Sequence, residues 1–420
     1  MDKTLFILRC YSGFENSIIK RKWSPHGATT IAKFLTYIQK SKSNNILLIS
    51  KSNNYELNKK NNKKLFLKNF SIPIYLIKVN LRYLNNTKIG KLYREIYNNI
   101  FIIYYLYKLK PKIIYIDHAN IYIGAFICRF FKVKTVVRLM GIKEDMRNCL
   151  KGSSLFNKLL RWSYNSPFTM VIATQDGAGA EIWMDKALRK TVPRKTILNG
   201  VDKVSHSLDF NLEYNLPKNK NIITFIGRLE NDKAPDKFIE SFIKIEKNYP
   251  NKCHGVIIGS GSMKEQLLKR IHEARIGKCI TFFADLNNIE IFELLRISKI
   301  YVSLNRNGNL SNSNIEAMAA GKAMIMPSSQ KHLGIDLYTD LIIHESAVLR
   351  INNSDSVDEL SNAVIYLAKN PQVRKKLEKN ILIEARKFIK TWDARMMWEY
   401  ELLSIINNNQ SELINYIQKD

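Results

Sequence analysis

Short apolar runs alternate with longer amphipathic segments along the chain, a pattern typical of strand–helix–strand units around a buried parallel sheet. In the first half, strands are predicted at residues 4–10, 46–50, 74–79, 113–116, 135–139, 170–173 and 196–198. Helices are predicted between them, among others at residues 29–39, 91–108 and 121–131. The first half is therefore expected to form a doubly wound α/β domain.

A polar segment without clear periodicity, residues 202–221, interrupts this alternation. Further strands are then predicted at residues 222–226, 254–258, 280–283, 300–304 and 323–326. The tail from residue 355 has helical periodicity, and its last part is long enough to return to the first domain. We predict two Rossmann-like domains, one at 1–205 with a returning helix at about 393–420, and one at 206–392.

The chain has 420 residues, which suits two domains of about 200 residues each. Lys and Arg total 66 against 37 Asp and Glu, a net charge of +29. This excess indicates nucleic acid, nucleotide phosphates or an anionic membrane surface as partner. Compositional bias in solvated loops, as in the Lys/Asn-rich run 51–64, is the alternative. We predict no nucleic-acid partner, because the sequence has no helix-turn-helix or aromatic–basic motif.

The five cysteines form no Cys-x-x-Cys pair, and no histidine cluster has metal-ligand spacing. We therefore predict reduced thiols, a cytoplasmic protein and no metal site. The N-terminus lacks the basic region and cleavage site of a signal peptide, so it is interpreted as a strand. The apolar stretches 99–109 and 121–131 fall short of the ~20 residues that cross a bilayer, so any membrane contact is expected to be peripheral.

Candidate chemistry begins where the first strand of the second domain ends. Gly227, Arg228 and Lys233 follow that strand, at the sheet edge where open α/β sheets bind ligands. Gly227 would let the backbone approach a ligand, and the two cations would neutralise a diphosphate. Gly259 ends the next strand in a glycine turn at the same edge, which taken alone is a weak signal.

A polar loop leads into a helix within residues 303–321. Ser311, Asn312 and Ser313 suit the N-cap, and the unpaired amides of the helix start would form an anion site. Glu316, expected in the first turn, would accept hydrogen bonds from ribose hydroxyls. Simple complementarity to the helix dipole is the alternative for this glutamate.

Four stretches carry a family resemblance in this order: ILNGVD at 197–202, FIGRLENDKAPDKFIESF at 225–242, VIIGSGSMKEQL at 256–267 and SNSNIEAMAAGKAMI at 311–325. They resemble the retaining GT-B glycosyltransferases of glycosyltransferase family 4, over roughly the second half of the chain. The resemblance implies two Rossmann-like domains that face a central cleft. It also implies retaining transfer of a sugar from a UDP- or GDP-sugar to a hydroxyl acceptor, without a metal ion or cofactor. Arg228 and Lys233 would act in catalysis on the donor diphosphate, and Glu316 would bind the ribose.

The sequence departs from the family in the donor loop. Gly308 stands where the family has a glutamate that contacts the donor sugar. Sugar contacts are therefore expected from Asn309, Asn312 or backbone amides, with Ser313 and Gly259 also in the donor site.

Three positions of the first domain are further candidates. Gly27 opens the first helix in a turn that the family places near the donor phosphates or the acceptor. His26 and His118 are possible acceptor or sugar contacts, or else loop histidines with a local hydrogen bond. Met140 and Gly141 replace the family's His-Gly pair.

Arg138 lies two residues before Met140 and would supply positive charge to the acceptor or sugar. A structural ion pair is the alternative interpretation of this arginine.

The basic charge favours a peripheral enzyme on the inner face of the plasma membrane. Its acceptor would be a saccharide or lipid-linked saccharide of a bacterial surface polysaccharide such as lipopolysaccharide or capsule. Residues 88–112 are either a membrane-facing amphipathic helix or a buried helix on the sheet. Two alternatives stay open: a catalytically impaired glycosyltransferase-like partner protein, suggested by Gly308 and Met140, and a nucleotide-sugar epimerase, whose acid/base carboxylates are not found.

Overall fold

The computed structural model describes residues 3–25, 27, 29–40, 45–50, 64–77, 87–202, 214–408 and 410–418. The chain divides into two compact units. The first unit consists of Met1–Thr174, Ala180–Ile197 and Asp393–Asp420, and the second of Gln175–Gly179 and Leu198–Trp392. The predicted boundary between 205 and 206 lies outside the described residues.

The first unit is built on a parallel sheet with one antiparallel edge strand. Its strands are β1 (Thr4–Arg9), β2 (Ile46–Ser50), β3 (Leu65–Leu67), β4 (Phe70–Leu76), β5 (Ile113–Asp117), β6 (Lys134–Leu139), β7 (Met170–Thr174) and β8 (Arg194–Ile197). Their order across the sheet is β3-β4-β2-β1-β5-β6-β7-β8, and only β3 and β4 pair antiparallel. The strand order reverses at β1, between β2 and β5, as in doubly wound folds.

Helices connect these strands and the last two helices of the chain join the same unit. They are α1 (Ser12–Ile19), α2 (Thr29–Ile38), α3 (Lys88–Leu109), α4 (Ile121–Phe130), α5 (Glu144–Cys149), α6 (Leu155–Tyr164), α7 (Ala180–Ala187), α15 (Trp392–Asn408) and α16 (Leu413–Gln418). Every residue of β5 and β7 is buried, as expected for continuous apolar strands covered on both faces.

A closed cluster of charged side chains lies inside the first unit. Arg138 on β6 is fully buried and donates to two backbone carbonyls and to Thr174 Oγ1. Glu399 on α15 is also fully buried and lies 3.5 Å from Arg138 Nε and 2.7 Å from Arg395 Nη2. The Tyr115 hydroxyl donates to the same carboxylate. The expectation that Arg138 supplies charge to a ligand is therefore wrong, and the structural ion pair is the correct interpretation.

The second unit has a purely parallel sheet. Its strands are β9 (Asn221–Ile226), β10 (Cys253–Ile258), β11 (Ile280–Phe283), β12 (Ile300–Val302), β13 (Ala323–Pro327) and β14 (Leu349–Ile351). Their order is β11-β10-β9-β12-β13-β14, with the reversal at β9. The predicted doubly wound α/β architecture is thus confirmed in both units.

The helices of the second unit cover this sheet. They are α8 (Pro235–Asn248), α9 (Lys264–Glu273), α10 (Asn288–Ile297), α11 (Asn312–Ala319), α12 (Leu337–Ile342), α13 (Val357–Lys369) and α14 (Pro371–Phe388). Their apolar sides supply the core; Phe238 on α8, for example, packs on Phe225 of β9 with ring centroids 5.5 Å apart. Across the described parts of both units, no helix has the length and apolar character needed to cross a bilayer.

Candidate active site

The predicted site residues of the second unit gather at the carboxyl edge of its sheet. Gly227 directly follows β9, and the loop that leads to α11 follows β12. Since β9 and β12 are neighbours at the point where the strand order reverses, the two loops leave the sheet side by side. Ligands of open α/β sheets bind at such a position.

Gly259 has a structural requirement at this edge. Its φ is +152°, and a Cβ on it would lie 1.9 Å from the Gly227 carbonyl oxygen. The Gly227 N–H donates to the Ile258 carbonyl at 3.0 Å, so the turns after β9 and β10 are in direct contact. Gly227 could carry a Cβ without a clash, since the nearest atoms, on Lys233 and Phe225, would lie 3.8 Å from it. Packing therefore demands glycine at 259 but not at 227, where the lack of a side chain leaves room beside the loop.

Arg228 and Lys233 lie on the same turn between β9 and α8. The Arg228 guanidinium pairs with Asp232 at 3.1 Å, but 67% of its side chain is exposed, so water weakens the pair. Lys233 ends a short 3-10 turn and is half-buried. Burial lowers the pKa of Lys233, while the nearby carboxylates of Asp232, Asp176 and Asp336 oppose this change. Both cations are thus placed to receive an anion.

The start of α11 lies beside this turn. Ser311 is the N-cap residue, but its side chain makes no capping hydrogen bond and donates to Asn314 Oδ1 at 3.0 Å instead. Ser313 Oγ donates to the Ile226 carbonyl at 3.2 Å, which ties the helix start to the end of β9. The amides of the first turn are therefore not capped by the serine, and they suit an anion.

Asn312 and Glu316 lie on α11. Asn312 Oδ1 accepts from Asn199 Nδ2 at 2.6 Å, within the second unit. Glu316 is half-buried. The helix begins at Asn312 and has no acidic residue in its first turn, so the expectation that Glu316 lies there is wrong. The helix dipole acts more weakly on a carboxylate in the second turn. A favourable interaction with the dipole is therefore a weaker explanation for Glu316 than the sequence suggested.

Asn309 was expected to contact a sugar, yet its side chain is directed into the protein. The residue is fully buried. Its amide nitrogen donates to the Asn305 carbonyl at 3.1 Å and to Asp336 Oδ2 at 2.6 Å, and its oxygen accepts from Ser303 at 2.7 Å. Since every polar atom of this side chain is bonded within the unit, Asn309 shapes the loop and does not reach a ligand.

Gly308, where the family that the sequence resembles has a glutamate, has no room for a side chain. Its φ is +125°, and a Cβ on it would lie 2.4 Å from the carbonyl carbon of Gly177 and 2.6 Å from the carbonyl oxygen of Asp176. Real Cβ atoms do not approach backbone atoms this closely. No side chain fits at 308, because the backbone of residues 176–178 occupies the space.

Sequence reasoning missed two carboxylates at this edge, Asp176 and Asp336. Asp336 is buried, with φ +59°, and accepts from Asn309 N–H and Thr339 Oγ1, both at 2.7 Å. Burial raises its pKa. Asp176 follows β7 in the polar, glycine-containing sequence Q-D-G-A-G, a signal at a strand end that could have identified it. The Asp336 sequence context carries no comparable signal.

The candidates of the first unit lie apart from this group along the chain. Gly27 has φ +68° and is exposed, whereas His26 lies outside the described residues. His118 Nδ1 lies 3.0 Å from the Tyr164 hydroxyl, and burial followed by the charge of Lys143 lowers the pKa of this histidine. The local hydrogen bond of His118 agrees with the simpler interpretation of a structural loop histidine.

Asp117, the neighbour of His118, closes β5 and is buried. Its carboxylate accepts from Arg9 N–H at 2.9 Å and from Asn120 Nδ2 at 2.7 Å. Burial raises the pKa of Asp117 against these hydrogen bonds. Met140, which replaces the family's histidine, is partly exposed and precedes Gly141 at φ +92°.

Residues 210–382 match the family model described as Glycosyl transferases group 1. An uncharacterized glycosyltransferase of Methanocaldococcus jannaschii is 26% identical over 41% of this chain and 41% of its own length. The alpha-monoglucosyldiacylglycerol synthase of Acholeplasma laidlawii is 23% identical over 46% of each chain. A third relative is an alpha-1,4-N-acetyl-D-galactosaminyltransferase of Campylobacter jejuni, whose name includes an undecaprenol-diphosphate-linked saccharide. It is 23% identical over 36% of this chain and 38% of its own. The chain thus spans less than half the length of these curated relatives.

Solved structures match over nearly the whole chain. Sucrose-phosphate synthase from Thermosynechococcus elongatus superposes with a TM-score of 0.71 at 14% identity, covering 96% of this chain and 98% of that one. Anabaena HepE in complex with UDP-glucose gives 0.64 at 15% identity, with 96% and 100% covered. WaaG, a glycosyltransferase involved in lipopolysaccharide biosynthesis, gives 0.64 at 10% identity, also with 96% and 100% covered. The protein therefore has the GT-B fold, and the match to the Glycosyl transferases group 1 model lies within its second unit.

Proposed function

We propose that the protein is a retaining glycosyltransferase that moves a sugar from a nucleoside-diphosphate sugar to a hydroxyl acceptor. The observation that carries the proposal is the convergence of Arg228, Lys233 and the start of α11 at one edge of the second sheet. Two cations and a helix N-terminus at a strand-order reversal fit a diphosphate. The resemblance to glycosyltransferase family 4 supports retention.

In the proposed reaction these groups stabilise charge that develops on the leaving diphosphate as the bond to the sugar breaks. Preorganised positive groups of this kind commonly supply much of a rate enhancement. The leaving diphosphate accepts the proton of the acceptor hydroxyl on the same face of the sugar, so the anomeric configuration is retained. Because Arg228, Lys233 and the helix start provide the positive charge, the proposed mechanism requires no metal ion or cofactor.

The proposed donor is a UDP- or GDP-sugar. Support for the uridine form comes from the HepE structure, which contains UDP-glucose and shares the fold. The proposed acceptor is a saccharide or lipid-linked saccharide of a bacterial surface polysaccharide, lipopolysaccharide or capsule among them. Two relatives support this choice through their names, one a glucosyldiacylglycerol synthase and the other a transferase with an undecaprenol-diphosphate-linked substrate.

An apolar surface on the first unit supports binding of the protein to a membrane surface. Apolar side chains at helical spacing are exposed along α3: Ile89, Leu92, Tyr93, Ile96, Ile100, Tyr104 and Tyr107. The opposite side of the same helix is buried through Ile102, Tyr105 and Leu106. The two interpretations of residues 88–112 thus apply to opposite sides of one helix, one packed in the unit and one exposed.

Neighbouring helices extend this surface. Tyr107 on α3 and Phe126 on α4 both contact Phe131, with ring centroids 5.5 and 6.0 Å away, and Arg129 on α4 stacks over Trp162 on α6 at 4.5 Å. Phe126, Phe130, Leu155, Phe156, Leu159 and Trp162 are exposed on α4 and α6. We call the exposed apolar side chains of α3, α4 and α6 the apolar face. Contiguous apolar surface of this kind marks a binding site.

Charge favours an anionic bilayer as the partner of the apolar face. In α3, α4 and α6 the only acidic residue is Glu95, which pairs with Arg9 at 3.0 Å; the other charged residues of these helices are lysines and arginines. Basic and aromatic side chains around an apolar stripe are typical of interfacial helices. We therefore propose a peripheral enzyme on the cytoplasmic face of the plasma membrane.

The donor proposal is tested by thermal unfolding with UDP, GDP, ADP and CMP and with their common sugar conjugates. At 100 times Kd a ligand stabilises by ~2.7 kcal/mol, which raises Tm by several degrees. Arg228→Ala should abolish the shift and lower kcat/KM by ~100- to 1000-fold. Arg386→Ala, which removes an exposed arginine from α14, is the matched control and should change neither.

Three outcomes separate the alternatives. Turnover with a product that has the donor's anomeric configuration supports the retaining enzyme. Binding of a donor without turnover favours the impaired partner protein, for which the loss of side-chain space at Gly308 is the specific observation. A folded sample that binds no nucleotide, or an Arg228→Ala variant with undiminished activity, contradicts the proposal.

A further inference from the structure

A short stretch of chain, Gln175–Gly179, belongs to the second unit although both of its flanks belong to the first. Backbone hydrogen bonds hold it there. Leu310 N–H donates to the Asp176 carbonyl at 3.0 Å, and Asp336 N–H donates to the Gly177 carbonyl at 2.7 Å. Asp176 is thus anchored to the loop that leads from β12 to α11.

Two glycines make this contact too close for any side chain. A Cβ on Gly177 would lie 2.3 Å from Asp336 Oδ1 and 2.7 Å from Asn309 N, and a Cβ on Gly308 would lie 2.4 Å from the carbonyl carbon of Gly177. The stretch cannot shift toward the loop, and shifting away would break the backbone hydrogen bonds. The backbone of Asp176 is therefore held in place relative to the candidate active site.

The carboxylate of Asp176 is bonded far less fully than that of Asp336. Asp336 accepts three hydrogen bonds from Asn309 and Thr339. Asp176 accepts from Ala178 N–H at 3.0 Å, and it forms no ion pair with any residue that the structure describes. It is also partly exposed. A carboxylate can accept several hydrogen bonds, so Asp176 retains capacity for a ligand.

The charge state of Asp176 suits an acceptor. Burial raises its pKa to about 6, against the Ala178 N–H hydrogen bond and the charge of Lys233, while Asp336 raises it further. At pH 7 the side chain is therefore mainly a carboxylate. Arg306 N–H donates to the Asp232 carbonyl at 3.0 Å, so the loop that anchors Asp176 also contacts the turn of Lys233. The charges of Asp176 and Lys233 accordingly act on each other's pKa.

Lys233 and Asp176 suit different parts of a sugar nucleotide. Phosphate oxygens are attracted to Lys233 and repelled by a carboxylate. Sugar hydroxyls are hydrogen-bond donors, and a charged acceptor binds them more strongly than a neutral one. A carboxylate beside a diphosphate-binding cation therefore fits the sugar end of the ligand.

We infer that Asp176 accepts hydrogen bonds from hydroxyl groups of the donor sugar and so distinguishes a nucleoside-diphosphate sugar from the bare nucleoside diphosphate. The inference rests on the proposed function. It assigns sugar recognition to the 175–179 stretch, since Gly308 has no side chain and Asn309 is fully bonded within the protein.

The test compares Kd values of the full-length protein for UDP and UDP-glucose, or for the equivalent pair of whichever nucleotide gives the larger thermal shift. In Asp176→Ala, the affinity for the nucleoside diphosphate should stay within about threefold of wild type, because the diphosphate contacts are intact. The affinity for the sugar conjugate should fall by about 10- to 100-fold, the loss of one or two charge-assisted hydrogen bonds. Asp358→Asn, which removes an exposed, ion-paired carboxylate on α13, is the control and should leave both affinities unchanged.

Two outcomes would overturn the inference. An unchanged ratio of the two Kd values in folded Asp176→Ala means that the carboxylate does not touch the sugar. Equal loss of both affinities means that Asp176 only holds the loop. Asp176→Asn, which keeps an oxygen for Ala178 N–H, serves if the alanine variant does not fold. Its neutral oxygen binds hydroxyls more weakly than a carboxylate, so the affinity for the sugar conjugate should still fall, and an unchanged ratio would contradict the inference.

These results differ from a failure of the proposed function. If wild-type protein binds neither the nucleotide nor its sugar conjugate, the proposed function and the inference fall together. If wild type binds both and prefers the conjugate, the function stands, and only the Asp176 variants decide the inference.

Discussion

The two units differ in where they place charged and apolar side chains. The first unit closes its charges inside, where Arg138, Arg395 and Glu399 are buried and paired with one another, and exposes the apolar face. The second unit leaves charges at a sheet edge, where Arg228 is mostly exposed and Asp176 is only partly bonded. Among its described residues, the large exposed apolar side chains occur one to each helix or turn.

The difference shows which polar groups are candidates for function. Burial acts to raise the pKa of Glu399, yet Arg395 and Arg138 together lower it below its usual range. The pKa of Asp176 is raised by burial, because Lys233 compensates only in part. A buried carboxylate that lies between two buried guanidinium groups is part of the fold, whereas a carboxylate with no ion pair among the described residues is a candidate for ligand binding.

The largest expected effect tests the closed cluster. Glu399→Ala leaves two buried guanidinium groups without a carboxylate, and we expect the free energy of unfolding to fall by about 3–5 kcal/mol. Urea unfolding followed by circular dichroism measures it. Glu401→Ala on the same helix removes an exposed glutamate that accepts from Tyr416 and should cost less than about 1 kcal/mol. Equal midpoints for both variants would contradict the description of a closed cluster.

A second prediction tests the close contact between Gly308 and the backbone of residues 176–178. Gly308→Ala places a Cβ 2.4 Å from backbone at a φ of +125°, so we expect destabilisation by about 2–4 kcal/mol, measured by thermal unfolding. Gly277→Ala is the matched control, because nothing lies within 4 Å of its Cβ position. It should change stability by no more than about 0.5 kcal/mol. A Gly308→Ala variant as stable as Gly277→Ala would show that the 175–179 stretch moves freely.

A third prediction tests the apolar face. Ile100→Ser combined with Tyr104→Ser removes two exposed apolar side chains from α3. Binding to vesicles that contain anionic phospholipid should weaken by about 100-fold, because each of the two buried side chains contributes ~1.5 kcal/mol. Co-sedimentation measures this loss, with Leu341→Ser as the control, since that leucine is exposed singly on the second unit. An equal effect of the control would mean that exposure alone, not the apolar face, determines binding.

The smallest expected effect is the pH dependence of Asp176. Its folded-state pKa, about 6, lies above the usual value of 3.8, so the folded protein favours the protonated form. This contribution to stability is complete below about pH 4 and is lost as pH rises through 6. Asp176→Asn should therefore be more stable than wild type at pH 8, by about 1–2 kcal/mol after allowance for partial exposure, and equal to it at pH 4.

The groups that face Asp176 set the size of that effect. Lys233 and the Ala178 N–H favour the carboxylate, while Asp336, whose own pKa is raised by burial, disfavours it. A variant that is less stable than wild type at pH 8 would mean that Lys233 compensates fully. Asp176 and Glu399 would then no longer differ in whether nearby cations offset the effect of burial on the pKa.

The parts of the fold that the sequence predicts are those with local signals. Apolar runs identify most of the strands, and chain order places Arg228 and Lys233 at the edge where β9 ends. Strands β3 and β14 escape prediction, because each has three residues and contains or lies next to charged residues rather than falling within a longer apolar run. Strand β12 is equally short but falls within the predicted strand 300–304.

The site residues that were misjudged depend on distant partners. In the sequence Asn309 is a polar loop residue with no sign of burial. Its partner Asp336 lies 27 residues away, so the hydrogen bond that holds it inside cannot be predicted from the neighbouring residues. Tyr115 and Glu399, which share the cluster of Arg138, are 284 residues apart. Pairing across such separations follows from the folded chain and leaves no pattern in a single sequence.

The 175–179 stretch also determines what a complete second unit is. In chain order it lies between two parts of the first unit, so no continuous fragment contains the whole second unit and nothing else. A polypeptide cut to residues 198–392 would keep all six strands of the sheet, yet the N–H groups of Leu310 and Asp336 would lose their acceptors. Any exchange of this unit between related genes must therefore carry two separate pieces of coding sequence, the shorter of which encodes only five residues.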